Sequence, residues 1–314
     1  MKTAVYIGDE IAKYGFPGGH PFGPDRHEAF LKEFYHRNLA DAVLIKKPVM
    51  AEIKNIELFH EIEYIDKVRE LSKTGIGYLD MGDTPAFLGV FEAASYVAGS
   101  VVDAAENIMK NKFNRAFIPI AGLHHAYPER ASGFCVFNDC GIAMKYLLEK
   151  HNLERIAYVD IDAHHGDGVF YSFEDDKRII FADIHQFGIF PGTGNADETG
   201  TGEAKGYKLN VPVSAMANDD VFIKAWDDVE NFLRKNNPQF IIMQCGADSL
   251  RGDPITNMGY TQKAHAYAAK RLCQIADEYC QGRIIGTGGG GYNRENLANA
   301  WNSVVEEFIE NEEK

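Results

Sequence analysis

Cysteine is scarce in this chain: 314 residues hold five, Cys135, Cys140, Cys245, Cys273 and Cys280. An odd number with no Cys-x-x-Cys spacing argues against a disulfide framework and suits a reducing compartment. Positive charge is also short, with 32 Lys and Arg against 46 Asp and Glu and a formal net charge of -14. A nucleic-acid surface needs clustered Lys and Arg to neutralise phosphate, so nucleic acid is not an expected partner. The acidic excess suits a cationic substrate, or serves only to keep the surface solvated. No run reaches the roughly 18 apolar residues of a membrane span, so no membrane partner is expected. The apolar run at residues 4–7 is too short for a signal peptide and reads as a first strand. Together these absences predict a cytoplasmic protein. Repeats, proline-rich linkers and low-complexity tracts are missing too, and residues 1–314 are expected to form one domain.

What is present is an ordinary globular composition, 45% hydrophobic and 25% charged, enough for a sizeable core. Short apolar runs at residues 4–7, 116–120, 156–161, 179–184, 240–245 and 284–286 each precede loop residues and then helical periodicity. Strands alternating with helices predict a parallel sheet. Because the runs are apolar throughout, both faces should be covered. The expected fold class is α/β: a three-layer α/β/α arrangement with a central, mainly parallel sheet. Helices are expected over residues 24–40, 89–110, 137–151, 218–235, 259–280 and 294–311. Residues 192–206 carry five glycines and read as a long mobile loop.

The densest chemistry lies at Asp160-Ile161-Asp162-Ala163-His164-His165-Gly166-Asp167, three carboxylates and two imidazoles directly after an apolar strand. Alternate side chains of a strand share a face, so Asp160, Asp162 and His164 should point one way at its carboxyl end. Open α/β sheets hold their ligands at that edge. A helix cap would need only one of these carboxylates. Another strand ends in Gly246-Ala247-Asp248 and delivers a further carboxylate. Asp162, His164 and Asp248 then make the three protein ligands of a catalytic zinc, whose fourth position stays open. That donor set is hard enough for iron(II) to compete. A second imidazole pair, His124-His125, follows the strand at 116–120 and could transfer protons, with Asp160 and Asp167 as spare carboxylates to fix their tautomers. Near the carboxyl end, Gly286-Thr287-Gly288-Gly289-Gly290-Gly291-Tyr292 has the spacing of a dinucleotide fingerprint. That fingerprint needs a second strand with an acidic residue, and here one helix follows and the chain stops. The glycines instead let backbone approach closely, which makes Tyr292 a candidate donor to a developing oxyanion.

With these pieces in order, the chain resembles the arginase–deacetylase superfamily and, within it, the zinc-dependent histone deacetylase family, including bacterial proteins of the acetoin-utilisation type. The motifs carrying the resemblance are Gly19-His20-Pro21 with Arg26, Gly82-Asp83-Thr84-Pro85, Gly122 to Ala126, Ser132-Gly133-Phe134-Cys135, Asp160 to Gly168, Phe190 to Gly194, Gly246 to Leu250 and Gly288 to Asn293. The resemblance implies the arginase–deacetylase fold and a zinc held by Asp162, His164 and Asp248. It implies His125 with Asp167 as general base and acid, His124 with Asp160 as its electrostatic companion, and Tyr292 polarising the carbonyl. It further implies a structural potassium ion at Asp160, Asp162 and His164, with Asp183 in a neighbouring position. Phe134 and Phe190 would wall the substrate tunnel, Gly133 and Gly290 would line it, Asp83 would hold substrate amides at the rim, and Arg26 would sit near an inner acetate cavity.

Two features bear on the substrate. Gly122-Leu123-His124-His125 is similar to the lysine-deacetylase branch, and Ile255 stands where a polyamine-selective member would place a glutamate. The expected substrate is therefore acetyl-lysine or a related small acetylated amine. Acetylpolyamine hydrolysis and a non-catalytic ligand-binding role are the alternatives. A two-manganese ureohydrolase would need an Asp-x-His-x-Asp pattern, and position 166 is Gly.

Overall fold

The structure is a computed structural model that describes residues 2–312. The amino-terminal part runs β1 (Ala4–Tyr6), α1 (Asp9–Ala12), α2 (Asp25–His36), β2 (Leu44–Lys46), α3 (Ile53–Ile56), α4 (Ile62–Thr74), α5 (Val90–Met109), β3 (Arg115–Ile118) and α6 (Asp139–His151). There follow β4 (Ile156–Asp160), α7 (Asp167–Ser172), β5 (Ile179–Gln186), β6 (Lys208–Val213), α8 (Asp219–Asn236), β7 (Phe240–Gln244), α9 (Gln262–Tyr279), β8 (Ile284–Thr287) and α10 (Arg294–Glu310). All strand pairings are parallel, in the order β2-β1-β3-β8-β7-β4-β5-β6.

Sequence explains the layering. Every residue of β4, β5, β7 and β8 is buried, so these strands need cover on both faces. Helices α2, α10, α9 and α8 pack on one another as one layer, and α1, α4, α5 and α6 as another. Members of both layers touch β8, which puts the sheet between them. Side-chain caps start several helices: the Asn138 amide oxygen accepts from Gly141 N, that of Asn218 from Val221 N, and that of Asn293 from Glu295 N and Asn296 N.

Six elements go beyond the sequence expectation, strands β2 and β6 and helices α1, α3, α4 and α7. Edge strand β2 is largely exposed, and β6 alternates burial and carries Lys208, Asn210 and Pro212, so neither reads as an apolar run. Helix α4 buries Tyr64, Ile65, Val68 and Ser72 on one face and ends at Gly75, whose φ of 66° is left-handed. The glycine-rich stretch 192–206 is also not the free loop its composition suggests. Thr193 Oγ1 meets His165 Nδ1 at 2.8 Å, Gly194 O meets His185 Nε2 at 3.0 Å, and Tyr171 donates to Glu198 at 2.7 Å.

Candidate active site

The four central strands β3, β8, β7 and β4 are neighbours, and the loop beyond each carboxyl end supplies part of one site. From β4 and β7 come Asp162, His164 and Asp248, whose ligand atoms all lie within 4.8 Å of one another, buried. His164 Nδ1 sits 3.1 Å from Asp162 Oδ1 and 3.1 Å from Asp248 Oδ2. Two buried carboxylates facing one imidazole demand positive charge between them. The protein alone meets this with a proton, and the His164 pKa is driven up to about 10: burial opposes the rise, but Asp162 and Asp248 overcome it. Burial, reinforced by the Asp162 charge, pushes Asp248 up to about 7. A divalent cation would neutralise both carboxylates and leave the imidazole neutral, so the donor set fits the zinc inferred from sequence.

Backbone and side chains aim these ligands. Asp162 Oδ2 accepts from Gly290 N at 2.9 Å and from Gln244 Nε2 at 2.9 Å, and Asp248 Oδ1 accepts from Ala163 N at 2.9 Å. Asp248 thus binds a turn amide and faces the metal position at once. Gly290 is obligatory here, since a Cβ would come within 2.8 Å of Asp162 Oδ2. Asp160 does not join the trio, contrary to the one-face expectation, because the strand ends at that residue. Its Oδ2 is taken by His124 Nδ1 at 2.7 Å and the Tyr158 hydroxyl at 2.6 Å. Asp183, one strand over, accepts Gly166 N at 2.9 Å and pairs with His185 Nδ1 at 2.8 Å. His165 turns away toward Thr193.

The two histidines after β3 separate by environment. His125 Nδ1 meets Asp167 Oδ1 at 2.6 Å, and its ring lines a pocket that His164 also lines, whereas His124 lies deeper against Asp160. Burial and the neighbouring His124 charge lower the His125 pKa to about 4 despite Asp167. Burial opposes protonation of His124 as well, but Asp160 and Asp162 raise it to about 10. Two groups of one type are thus driven in opposite directions by their surroundings. Asp139 fixes the approach to them, accepting Gly122 N and Leu123 N at 2.8 Å each.

The pocket holds about 300 Å³ and is lined by Asp83, His125, Gly133, Phe134, His164, Phe190, Ile255 and Tyr292. Every tunnel residue inferred from sequence is therefore on its wall except Gly290, which lies behind Asp162, and Arg26. Gly133, at φ +51°, narrows the passage: a Cβ there would meet His125 Cδ2 at 2.6 Å and Phe190 Cε1 at 2.9 Å. Phe134 also has positive φ, 68°, and is held there by Tyr14, which donates to Phe134 O at 2.7 Å, and by Thr84 Oγ1, which accepts Phe134 N at 3.1 Å. Tyr292 N donates to Asp253 Oδ2 at 2.8 Å. The Tyr292 hydroxyl has no hydrogen-bond partner among the described residues, and burial, with Asp248 nearby, pushes its pKa well up, keeping it a donor. Arg26 is fully buried, its Nε donating to Gly291 O at 2.9 Å and its guanidinium 3.9 Å from the Phe22 ring. Phe22 and Gly289 line a small inner cavity, and Arg26 packs against both without lining it itself. Gln244, Asp139, Tyr14 and Asp253 escaped sequence reasoning, and Thr84 entered it only as part of a motif. Several of their partners lie far away in the chain, and no local spacing marks them.

A parallel sheet with a buried Asp-His-Asp trio, two histidine–carboxylate pairs and a tyrosine above one pocket defines a metal-dependent hydrolase. Comparison with known proteins gives the particular family. Residues 20–308 match the histone deacetylase domain. The chain is 34% identical over 304 residues to the acetoin utilization protein AcuC of Bacillus subtilis (strain 168), covering 93% of this chain and 78% of that one. It is 32% identical over 299 residues to a probable deacetylase of Archaeoglobus fulgidus, covering 94% and 82%. A crystal structure of the HDA15 HD domain superposes with a TM-score of 0.91 at 26% identity, covering 99% of this chain and 89% of that one. The chain belongs to the histone deacetylase family and is a deacetylase with the arginase–deacetylase fold. No described helix is long and apolar enough to cross a membrane.

Proposed function

We propose that the protein removes an acetyl or short acyl group from an amine, acetyl-lysine or a related small acetylated amine, with residues 1–314 acting as one catalytic domain in the cytoplasm. The observation that carries this reading is the convergence of Asp162, His164 and Asp248 beneath a pocket that His125 and Tyr292 both line. Asp162, His164 and Asp248 would hold zinc, or iron(II) in its place. When bound, the metal supplies a Lewis acid that polarises a carbonyl and lowers the pKa of a water from about 15.7 toward about 7. Potassium would sit beside it, near Asp160, Asp162, His164 and Asp183.

The chain's own residues supply the rest. Asp167 holds His125 through Nδ1, which leaves Nε2 free to take a proton from the attacking water. As the new C–O bond forms, charge grows on the former carbonyl oxygen, and the Tyr292 hydroxyl donates to it. The C–N bond then breaks, and His125 returns its proton to the departing nitrogen. Acetate and a free amine leave. Phe134, Phe190 and Ile255 offer an apolar wall to an aliphatic chain, and Ile255 gives a polyamine ammonium no partner. This disfavours the acetylpolyamine alternative. A two-manganese site is disfavoured as well, since one convergent ligand trio forms among the described residues.

A fluorogenic acetyl-lysine peptide assay with and without chelator tests the reading. Turnover should vanish with chelator and return with added zinc. Chelator-resistant turnover, or none in the zinc-loaded protein on any acetylated lysine, polyamine or small amide, would refute it.

A further inference from the structure

Each of the two histidine–carboxylate pairs carries a tyrosine hydroxyl on its carboxylate, and the two are built differently. Asp160 Oδ2 takes both His124 Nδ1 and the Tyr158 hydroxyl, while its Oδ1 accepts Asp162 N at 3.0 Å, so backbone secures that carboxylate with or without the tyrosine. The Asp167 carboxylate has no backbone donor among the described residues. Its Oδ1 meets His125 Nδ1 at 2.6 Å, and its Oδ2 accepts the Tyr127 hydroxyl at 2.9 Å. With one partner on each oxygen, the plane that His125 bonds to is fixed from the far side by Tyr127 alone.

Tyr127 is itself held in place. Its N donates to Arg130 O at 2.9 Å, closing a turn, and the Arg130 guanidinium lies 3.7 Å from the centre of its ring. Pro128 O, within that turn, accepts Glu61 N at 2.9 Å. The ring is half-buried and lines neither the pocket nor the inner cavity, so it does not reach the substrate site. Asp167 is buried, and a carboxylate oxygen left there without a donor is costly. Burial pushes the Asp167 carboxyl up, but His125 and Tyr127 outweigh it and hold it below the usual carboxylate range. Without the Tyr127 hydroxyl, the carboxylate would be free to turn about its Cβ–Cγ bond, and the ring bonded to Oδ1 would turn with it. We propose that Tyr127 is a positioning residue for the proton transfers: through Asp167 it fixes the orientation of the His125 ring, and with it the aim of Nε2. This inference rests on the deacetylase reading and adds a third member to its His125–Asp167 pair.

The test is Tyr127→Phe on the zinc-loaded protein, which removes one oxygen and keeps the ring under Arg130. A misaimed general base weakens the transition state and leaves ground-state binding alone, so kcat for an acetyl-lysine peptide should fall about tenfold with KM and metal content unchanged. In the His125→Ala background the same substitution should cost nothing further, since no ring remains to be aimed. An unchanged kcat, a rise in KM in place of the fall in kcat, or a second tenfold loss on top of His125→Ala overturns the inference. Proton NMR reads the geometry without turnover. The Nδ1 proton of His125, identified by its disappearance in His125→Ala, should shift in Tyr127→Phe, and an unmoved resonance overturns the inference as well. A shifted resonance in a protein whose wild type hydrolyses no acetylated amine would sink the deacetylase reading and leave the hold of Tyr127 on His125 standing.

Discussion

Two aspartates at different depths stand in opposite conditions: Asp83 lines the pocket, and Asp162 lines the smaller cavity beneath it. Asp162, at the floor, is buried, and its two oxygens face amides of His164 and Gly290, the Gln244 side chain and the His164 ring. Asp83, at the rim, is exposed, and its carboxylate bonds to nothing among the described residues. An unpaired charge is costly inside and nearly free outside, so the floor must be finished by the protein and its cation, while the rim can be finished by the substrate. The floor carries reaction type. On the proposed reading, the rim would carry choice of substrate.

Substitutions should separate the two in size and in kind. The largest effect belongs to Asp248→Ala, which removes a ligand and leaves Asp162 and His164 short of a third donor. We expect metal affinity to fall by more than the about 10–100-fold that outer partners cost, and turnover to vanish with it, as read by metal content and acetate release. Retained stoichiometric metal would break the assignment. Next come the groups that move protons. His125→Ala should cost about 10²–10⁴ in kcat and Tyr292→Phe about 10²–10³, both with metal content unchanged. Loss of metal in either variant would merge proton chemistry with ligation and undo the distinction. At the rim, Asp83→Ala should raise KM for peptide substrates by about tenfold with kcat nearly constant, since it removes binding that substrate and transition state share. A fall in kcat without a change in KM would place Asp83 with the floor.

The same division governs what could be read from sequence. The proposed ligands and proton carriers cluster at strand ends, so Asp162, His164, His124, His125 and Asp248 stand out against apolar runs, and the central strands of the fold do too. Pairing was harder: which histidine goes with Asp160 and which with Asp167 follows from the Gly122–Ala126 turn that Asp139 shapes, and residue spacing alone does not encode it. Helix α4 was legible in principle, since Tyr64, Ile65, Val68 and Ser72 recur at helical spacing and Gly75 caps the end. Strand β6 was not, because an edge position tolerates Lys208 and Pro212. Supports such as Gln244 leave no trace, as an amide next to a strand end has many ordinary uses.

The smallest effect concerns how the floor is braced. His60 is buried between two fixed partners: Nε2 accepts Asn138 N at 2.9 Å, and Nδ1 faces Pro128 O at 3.3 Å. Only the neutral ring with its proton on Nδ1 satisfies both, and burial, outweighing the carbonyl contacts, lowers its pKa from 6.5 to about 3. Asn138 in turn donates to Ala126 O at 2.9 Å, so this histidine supports the turn that presents His125. Because the folded value lies below the unfolded one, the unfolded chain binds the extra proton first. Stability from this group is therefore complete above about pH 6.5 and declines as pH falls toward about 3, with a limiting slope of about 1.4 kcal/mol per pH unit. Between about pH 7 and pH 5.5 the loss should be about 1 kcal/mol. Urea unfolding at both values, in wild type and in His60→Asn, isolates it, because the variant has no ring to protonate. The wild type should lose about 1 kcal/mol more than the variant, and an equal loss in the two would mean that the brace does not titrate.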